Sequence, residues 1–142
     1  MIYIDEQDER YQFFKVITGE AMRVHSKYRY GLLESAYEAA LKYLLEQKGL
    51  TVSRQVFLPI YWDDVQLEQT YRMDLVIDEN IIVELKAIAH IDTSHRRQLW
   101  NYMNLTHLPY GMLLNFSPEG LYSEWYHRDD MTGDIDKVRL IK

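Results

Sequence analysis

Two short apolar segments carry charged side chains where a plain core strand would have none. They read Tyr71-Arg72-Met73-Asp74-Leu75-Val76-Ile77 and Ile81-Ile82-Val83-Glu84-Leu85-Lys86-Ala87. Side chains alternate faces along a strand. Glu84 and Lys86 therefore share a face with Ile82, and Val83 and Leu85 point the other way. Asp78-Glu79-Asn80 reads as a short hairpin connection. With that loop Ile77 pairs with Ile81, Asp74 lies opposite Glu84, and Arg72 lies opposite Lys86. Two carboxylates directly across a strand pair repel. Burial raises the cost of uncompensated charge. A divalent cation between the two acids removes the conflict, because hard cations such as Mg²⁺ take carboxylate oxygens. The alternative is an exposed sheet face carrying Asp, Glu, Arg and Lys in cross-strand ion pairs.

The triple acid-x-Lys is weak evidence alone. It occurs twice, at Glu46-Gln47-Lys48 and Glu84-Leu85-Lys86. With 22 acidic residues and 7 lysines, chance supplies about one. The first copy ends a helix ahead of Gly49 and reads as a solvated turn. The second gains weight from Asp74 opposite it. Glu34 adds a third acid. On a helix turning about 100° per residue, Leu33, Tyr37, Ala40, Leu41, Leu44 and Leu45 fall on one arc. Glu34 lies inside that arc, whereas Glu38, Lys42 and Glu46 fall at or beyond its edges. A carboxylate on an apolar stripe is expected to face the sheet and to have a partner there. The simpler alternative is a first-turn Glu interacting with the helix dipole.

The elements that must position these residues are legible. Phe13, Phe14, Ile17, Ala21 and Val24 recur at helical spacing, which predicts a helix from about Asp8 to His25. Gly31 punctuates the chain before a second helix, about Leu32 to Lys48, with Gly49 as its C-terminal cap. Val52 to Trp62 reads as a strand, Asp63-Asp64 as a turn, and Gln69 to Ile77 and Ile81 to Ala87 as further strands. Asp92, Thr93 and Ser94 are able N-caps for a third helix running to about Leu105. Tyr110 to Phe116 predicts another strand, and Tyr122 to Tyr126 and Val138 to Ile141 predict edge strands. The order α, α, β, β, β, α, β implies an α/β domain with a mixed sheet. A chain of 142 residues suits a single domain over residues 1–142.

Composition narrows the function classes. At 47% hydrophobic the chain is not a disordered one. It has no cysteine, which excludes disulfide scaffolds, thiolate zinc sites and thiol nucleophiles, and suits a reducing cytoplasm. The start MIYIDEQDER lacks the pattern of a signal peptide, and no apolar stretch approaches the roughly 20 residues needed to cross a bilayer. The net charge of -6 gives no bulk argument for nucleic-acid binding, since phosphate contacts favour basic surfaces. A metal-dependent nuclease is compatible with it, because divalent cations neutralise a loaded carboxylate cluster. The charge also serves solubility.

The residues resemble a known family. Gly31-Leu32-Leu33-Glu34-Ser35-Ala36-Tyr37 matches the pattern GxxExxY, and the GxxExxY proteins are grouped with the PD-(D/E)xK nuclease superfamily. The likeness extends over Val24-His25, Tyr71-Arg72-Met73-Asp74-Leu75, Val83-Glu84-Leu85-Lys86-Ala87, Gln98 with Tyr102, and Leu114-Asn115-Phe116. It runs from about Tyr11 to Tyr126. It implies a restriction-endonuclease-like αβββαβ core, a mixed central sheet flanked by helices. It implies that Asp74 and Glu84 are the main metal ligands, with the Leu85 carbonyl as a backbone ligand and Glu34 as a further ligand, direct or through water. It implies that Lys86 positions the attacking water and that Gln98 stands close to the site. Where the family often has Gly-Pro-Gly before the motif, this chain has Arg29-Tyr30-Gly31.

The resulting expectation is a Mg²⁺- or Mn²⁺-dependent hydrolase of phosphodiester bonds, acting on DNA or, second, RNA. Its catalytic residues would be Glu34, Asp74, Glu84 and Lys86. His25, Gly31, Tyr37, Gln98 and Tyr102 would bind substrate or support the site. Lys27 to Arg29, Arg96 and Arg97 are candidate phosphate contacts, and tyrosines could stack on bases. His90 and His95 lack a third soft ligand, which argues against zinc. The competing reading is a catalytically silent nucleic-acid or protein-binding module that keeps the fold. A homodimer or a protein partner is compatible with either.

Overall fold

The computed structural model describes residues 1–141. The chain runs β1 (Ile2–Ile4), α1 (Glu9–Tyr28), α2 (Glu34–Gln47), β2 (Val52–Trp62), β3 (Val65–Ile77), β4 (Ile81–Lys86), α3 (Thr93–Thr106), β5 (Tyr110–Ser117), β6 (Gly120–Arg128) and β7 (Ile135–Leu140). The seven strands form one sheet in the order β1-β7-β6-β5-β4-β3-β2. β4 and β5 are parallel, joined by the α3 crossover. β1 is parallel to β7, and the other neighbouring pairs are antiparallel. The result is the mixed α/β sheet that the element order predicts.

Helices cover both faces. On one side Phe14, Ile17, Ala21 and Val24 of α1 and Tyr37, Leu41 and Leu45 of α2 pack against Leu75, Ile77, Val83 and Leu85. On the other, Leu99, Tyr102 and Met103 of α3 pack against Val76, Ile82 and Leu113. Strands covered on both faces read as continuous apolar runs, which is why Ile81 to Leu85 is wholly buried around a single acid. Gly111 lets α3 approach β5 closely, since a Cβ there would lie 2.5 Å from Met103 Sδ. Among the described residues no helix is long and apolar enough to cross a membrane.

Three sequence expectations change. β1 is an added edge strand, too short at three residues to show alternation. β6 and β7 are interior strands, because β1 covers β7 in parallel. β3 begins at Val65 rather than Gln69. The Asp63-Asp64 turn, with Asp63 at φ 49°, returns the chain at once so that Trp62 pairs with Val65.

α3 is tied to the sheet by one buried ionic network. Glu124 on β6 is 1% exposed. It accepts from Arg96 Nε at 2.8 Å and Nη2 at 2.8 Å, and from the Tyr122 and Tyr126 hydroxyls. Lys137 Nζ stands 3.7 Å away. Burial pushes this carboxyl up, but the Arg96 and tyrosine hydrogen bonds and the Lys137 charge together outweigh it and hold the pKa at about 2, below the ordinary 4.5. The unfolded chain therefore takes up this proton first. The stabilisation is present above about pH 4.5 and is lost as pH falls towards 2. Urea midpoints followed from pH 5 to pH 2 should fall less steeply for Glu124→Gln than for the wild type. Equal slopes would show that the network adds nothing to acid sensitivity.

Candidate active site

The β3–β4 ladder pairs Ile77 with Ile81, Val76 with Ile82 and Leu75 with Val83. It stops there. At the next level, where the register sets Asp74 against Glu84, side chains replace backbone partners. The Asp74 N–H donates to Glu84 Oε1 at 3.0 Å, and the Leu85 N–H donates to Asp74 Oδ2 at 2.9 Å. The strands splay into a fork around the two carboxyls. Arg72 consequently does not face Lys86. It pairs with Phe57 of β2 instead.

The fork coincides with a kink in the neighbouring strand. Gln55 sits level with Asp74, between the pairs Arg54–Leu75 and Val56–Met73, and takes the left-handed φ of 53°. Face alternation breaks in both strands at this level. Val76 and Met73, three residues apart, lie in the same α3-side cluster, and Val56 packs there although Val52 faces the α1–α2 side. A glutamine in this backbone region is uncommon, and such positions concentrate at functional sites.

Burial and a neighbouring carboxyl both act on Glu84. Glu84 is 2% exposed. Burial pushes its carboxyl well above the usual range, and the Asp74 charge adds to the push. The Asp74 N–H and the Lys86 charge oppose it. Among the described residues neither Asp74 nor Glu84 forms an ion pair. Lys86 Nζ donates to Gln98 Oε1 at 3.0 Å, and Gln98 Nε2 donates to the Tyr102 hydroxyl at 3.1 Å. Burial, then the Glu84 charge, pushes the Tyr102 hydroxyl up. Asn115 on β5 fixes the exit of β4: its side chain accepts from the Ile88 N–H and donates to the Ile88 carbonyl, both at 3.0 Å.

Glu34 is not on the buried face that its helical arc implied. It is the first residue of α2 and is exposed. Partial burial of its carboxyl still raises the pKa. Lys86 and His95 pull it down, and Asp74 and Glu38 push it up. Glu34 thus stands at the rim, within electrostatic reach of Asp74 and Lys86. The buried acid is Glu38, one turn on and 2% exposed. It accepts from Arg54 Nε at 2.6 Å and from Gln55 Nε2 at 3.0 Å on both oxygens. The same Gln55 amide reaches Asp74 Oδ1 at 3.5 Å. The arc, drawn from apolar residues alone, put Glu38 at its edge. The available signal was the i, i+4 spacing from Glu34 with Arg54-Gln55 on the adjoining strand. Among the described residues no three His, Cys, Asp or Glu side chains converge closely enough to enclose a metal ion.

The other expected residues divide. The Tyr37 hydroxyl donates to the Arg29 carbonyl and accepts from the Leu32 N–H at 3.1 Å, while its ring stacks on Phe116 at 4.4 Å. It thereby pins the loop that precedes Glu34. Gly31 in that loop has φ 123°, which only glycine adopts readily. His25 donates from Nε2 to the Ser117 carbonyl at 2.8 Å and lies over Phe116. Its Nε2 thereby ties α1 to the end of β5. Arg96 is committed to Glu124, so it is not a free phosphate contact. His95 closes the capping box of α3 with Asp92, as a helix-start residue.

Residues 11–127 match the model of the PD-(D/E)XK nuclease superfamily. The chain belongs to that superfamily. Its mixed seven-stranded sheet flanked by helices is of the restriction-endonuclease-like kind. The solved structure of SSO0001 is similar in fold, with a TM-score of 0.52 and 18% identity over 87% of this chain and 65% of that one. The chain thus spans less than two thirds of SSO0001. No curated protein matches it. The matched span includes Asp74 and Glu84-Leu85-Lys86.

The Glu38 network carries a stability prediction. Glu38→Ala leaves Arg54 and Gln55 without their acceptor and should lower unfolding free energy by about 1–3 kcal/mol. Lys42→Ala, which breaks an exposed helix pair, should change it by less than about 0.5 kcal/mol. Chemical denaturation of both variants checks the contrast.

Proposed function

We propose that this chain is a divalent-metal-dependent nuclease that hydrolyses phosphodiester bonds in DNA. One observation carries the reading: Asp74 and Glu84 stand together at the fork without an ion-pair partner among the described residues, with Lys86 two residues on from Glu84. Nucleases of the superfamily typically use divalent metal ions. The donor set fits one. Two carboxylates and the Leu85 carbonyl are hard oxygen donors, and Mg²⁺ commonly binds through one or two carboxylates while keeping several waters. Glu34, at the rim, would reach the ion directly or through such a water. When bound, the ion would polarise the phosphoryl group and lower the pKa of water.

The chain's own residues supply the rest. The Lys86 ammonium has three donors, and Gln98 takes one. The remaining two can hold an attacking water and a phosphoryl oxygen. Gln98, itself held by Tyr102, keeps the Lys86 head from collapsing onto Glu84. Gln55 and the Leu85 N–H restrict how Asp74 can turn. Holding reacting groups in place in this way lowers the barrier without new covalent chemistry.

A second reading, a binding module that does not cut, is favoured by the absence of three converging metal-ligating side chains among the described residues. Labelled DNA incubated with Mg²⁺ or Mn²⁺ separates the two. The wild type should cut, and Lys86→Ala and Glu84→Ala should each slow cutting by about 100-fold or more. If the double variant cuts like the wild type, the enzyme reading fails. Thermal melts give an independent check. Mn²⁺ should raise the midpoint of the wild type and not that of an Asp74→Asn, Glu84→Gln variant.

A further inference from the structure

A groove opens beside the fork, between the β3 arm and α3. It has a volume of about 390 Å³, and its walls include Tyr71, His95, Arg97, Gln98, Asn101 and Tyr102. That size is within the roughly 300–1,000 Å³ of small-ligand sites. Three residues join it to the acids and lysine already described. Gln98 holds Lys86. Tyr102 feels the charge of Glu84. His95 pulls the Glu34 pKa down.

The lining has a consistent chemistry. It contains no carboxylate, in a chain whose net charge is -6. Arg97 and Asn101 are exposed and four residues apart, so they share one face of α3. Among the described residues Arg97 has no ion-pair or hydrogen-bond partner, whereas its neighbour Arg96 is fully engaged with Glu124. Tyr71 forms the far wall. Its ring meets Tyr102 at 5.7 Å with planes at 60°, and the residue remains 37% exposed. One cation, one amide and one available aromatic ring side by side match a phosphate, a base edge and a base face.

We propose that this groove binds one unpaired nucleotide of the substrate next to the bond to be cut, with its base on Tyr71 and its phosphate on Arg97. The identification of the ligand as nucleic acid rests on the nuclease reading. The choice of an unpaired nucleotide rests on the groove. A base inside a duplex has both faces covered and reaches a side chain only when extruded or single-stranded. Duplex binding also draws on many phosphate contacts. This groove offers a single free arginine, which suits one nucleotide held by stacking. Stacking on an aromatic ring tolerates any base, so the site would select strandedness and not sequence.

The test is binding of the full chain to a labelled oligothymidylate and to a hairpin duplex, measured by fluorescence anisotropy in EDTA so that nothing is cut. The single strand should bind more tightly. Tyr71→Ala should weaken that binding by about 5- to 150-fold, the range that loss of one base stack of about 1–3 kcal/mol produces. Tyr71→Phe should retain it. Arg97→Ala, an exposed change that leaves the fold alone, should reduce the log–log salt slope by about one. Tyr43→Ala, exposed on α2 and outside the groove, should change nothing. Equal affinity for the duplex, no measurable binding, or unaltered binding by both Tyr71→Ala and Arg97→Ala would overturn the proposal. The two readings fail separately. Tyr71-dependent binding without cleavage in Mg²⁺ or Mn²⁺ keeps the groove and removes the nuclease. Cleavage with binding indifferent to Tyr71 and Arg97 keeps the nuclease and removes the groove.

Discussion

The site depends on the point where β3 and β4 stop pairing. A regular antiparallel ladder would continue past Leu75 and Val83 with backbone groups facing one another. Instead the Asp74 and Glu84 carboxyls accept N–H groups from the opposite strand. Each exchange satisfies a backbone donor that the splayed strands would leave orphaned. The same exchange holds two acids side by side at the mouth of the fork.

Everything around the fork restrains it. β4 is buried on both faces, and Asn115 grips the chain just beyond Lys86. On one side Glu38 and Gln55 stand against Asp74, through a glutamine in an unfavourable backbone conformation. On the other, Lys86 donates to Gln98, which donates to Tyr102. α3 carries both Gln98 and Tyr102, and its own position is set by the Arg96–Glu124 network and by the close approach over Gly111. A buried acid without a cation is unfavourable in the folded chain. Such local conflicts are typical of places where function has overridden stability.

The polar residues of the chain divide into two kinds by this geometry. Arg96, Glu124, His25 and Tyr37 are each hydrogen-bonded to a distant part of the chain or a neighbouring loop and act as fasteners. Among the described residues Arg97 and Tyr71 keep an unpaired donor group and exposed ring surface in the groove, and Lys86 is joined to that groove through Gln98. Adjacent residues such as Arg96 and Arg97 fall into opposite kinds because successive helix positions point about 100° apart.

Much of this was legible in the chain itself. The hairpin Ile77–Ile81 follows from a three-residue turn between apolar runs, and it alone brings Asp74 level with Glu84. The face shared by Glu84 and Lys86 follows from strand alternation, and Asp92 was readable as a helix cap. These are local regularities with periods of a few residues, so sequence determines them. What sequence could not decide was which acid of α2 is buried, because that depends on Arg54 and Gln55 of β2 reaching Glu38 while Glu34 stays at the rim. It could not decide that pairing ends at Leu75, that Gln55 breaks the alternation, that His25 meets the Ser117 carbonyl, or that Arg96 is committed to Glu124. Each of those outcomes depends on contacts between elements far apart in the chain. Only the assembled sheet and helices, competing for the same hydrogen-bonding groups, determine which partner each polar side chain finds.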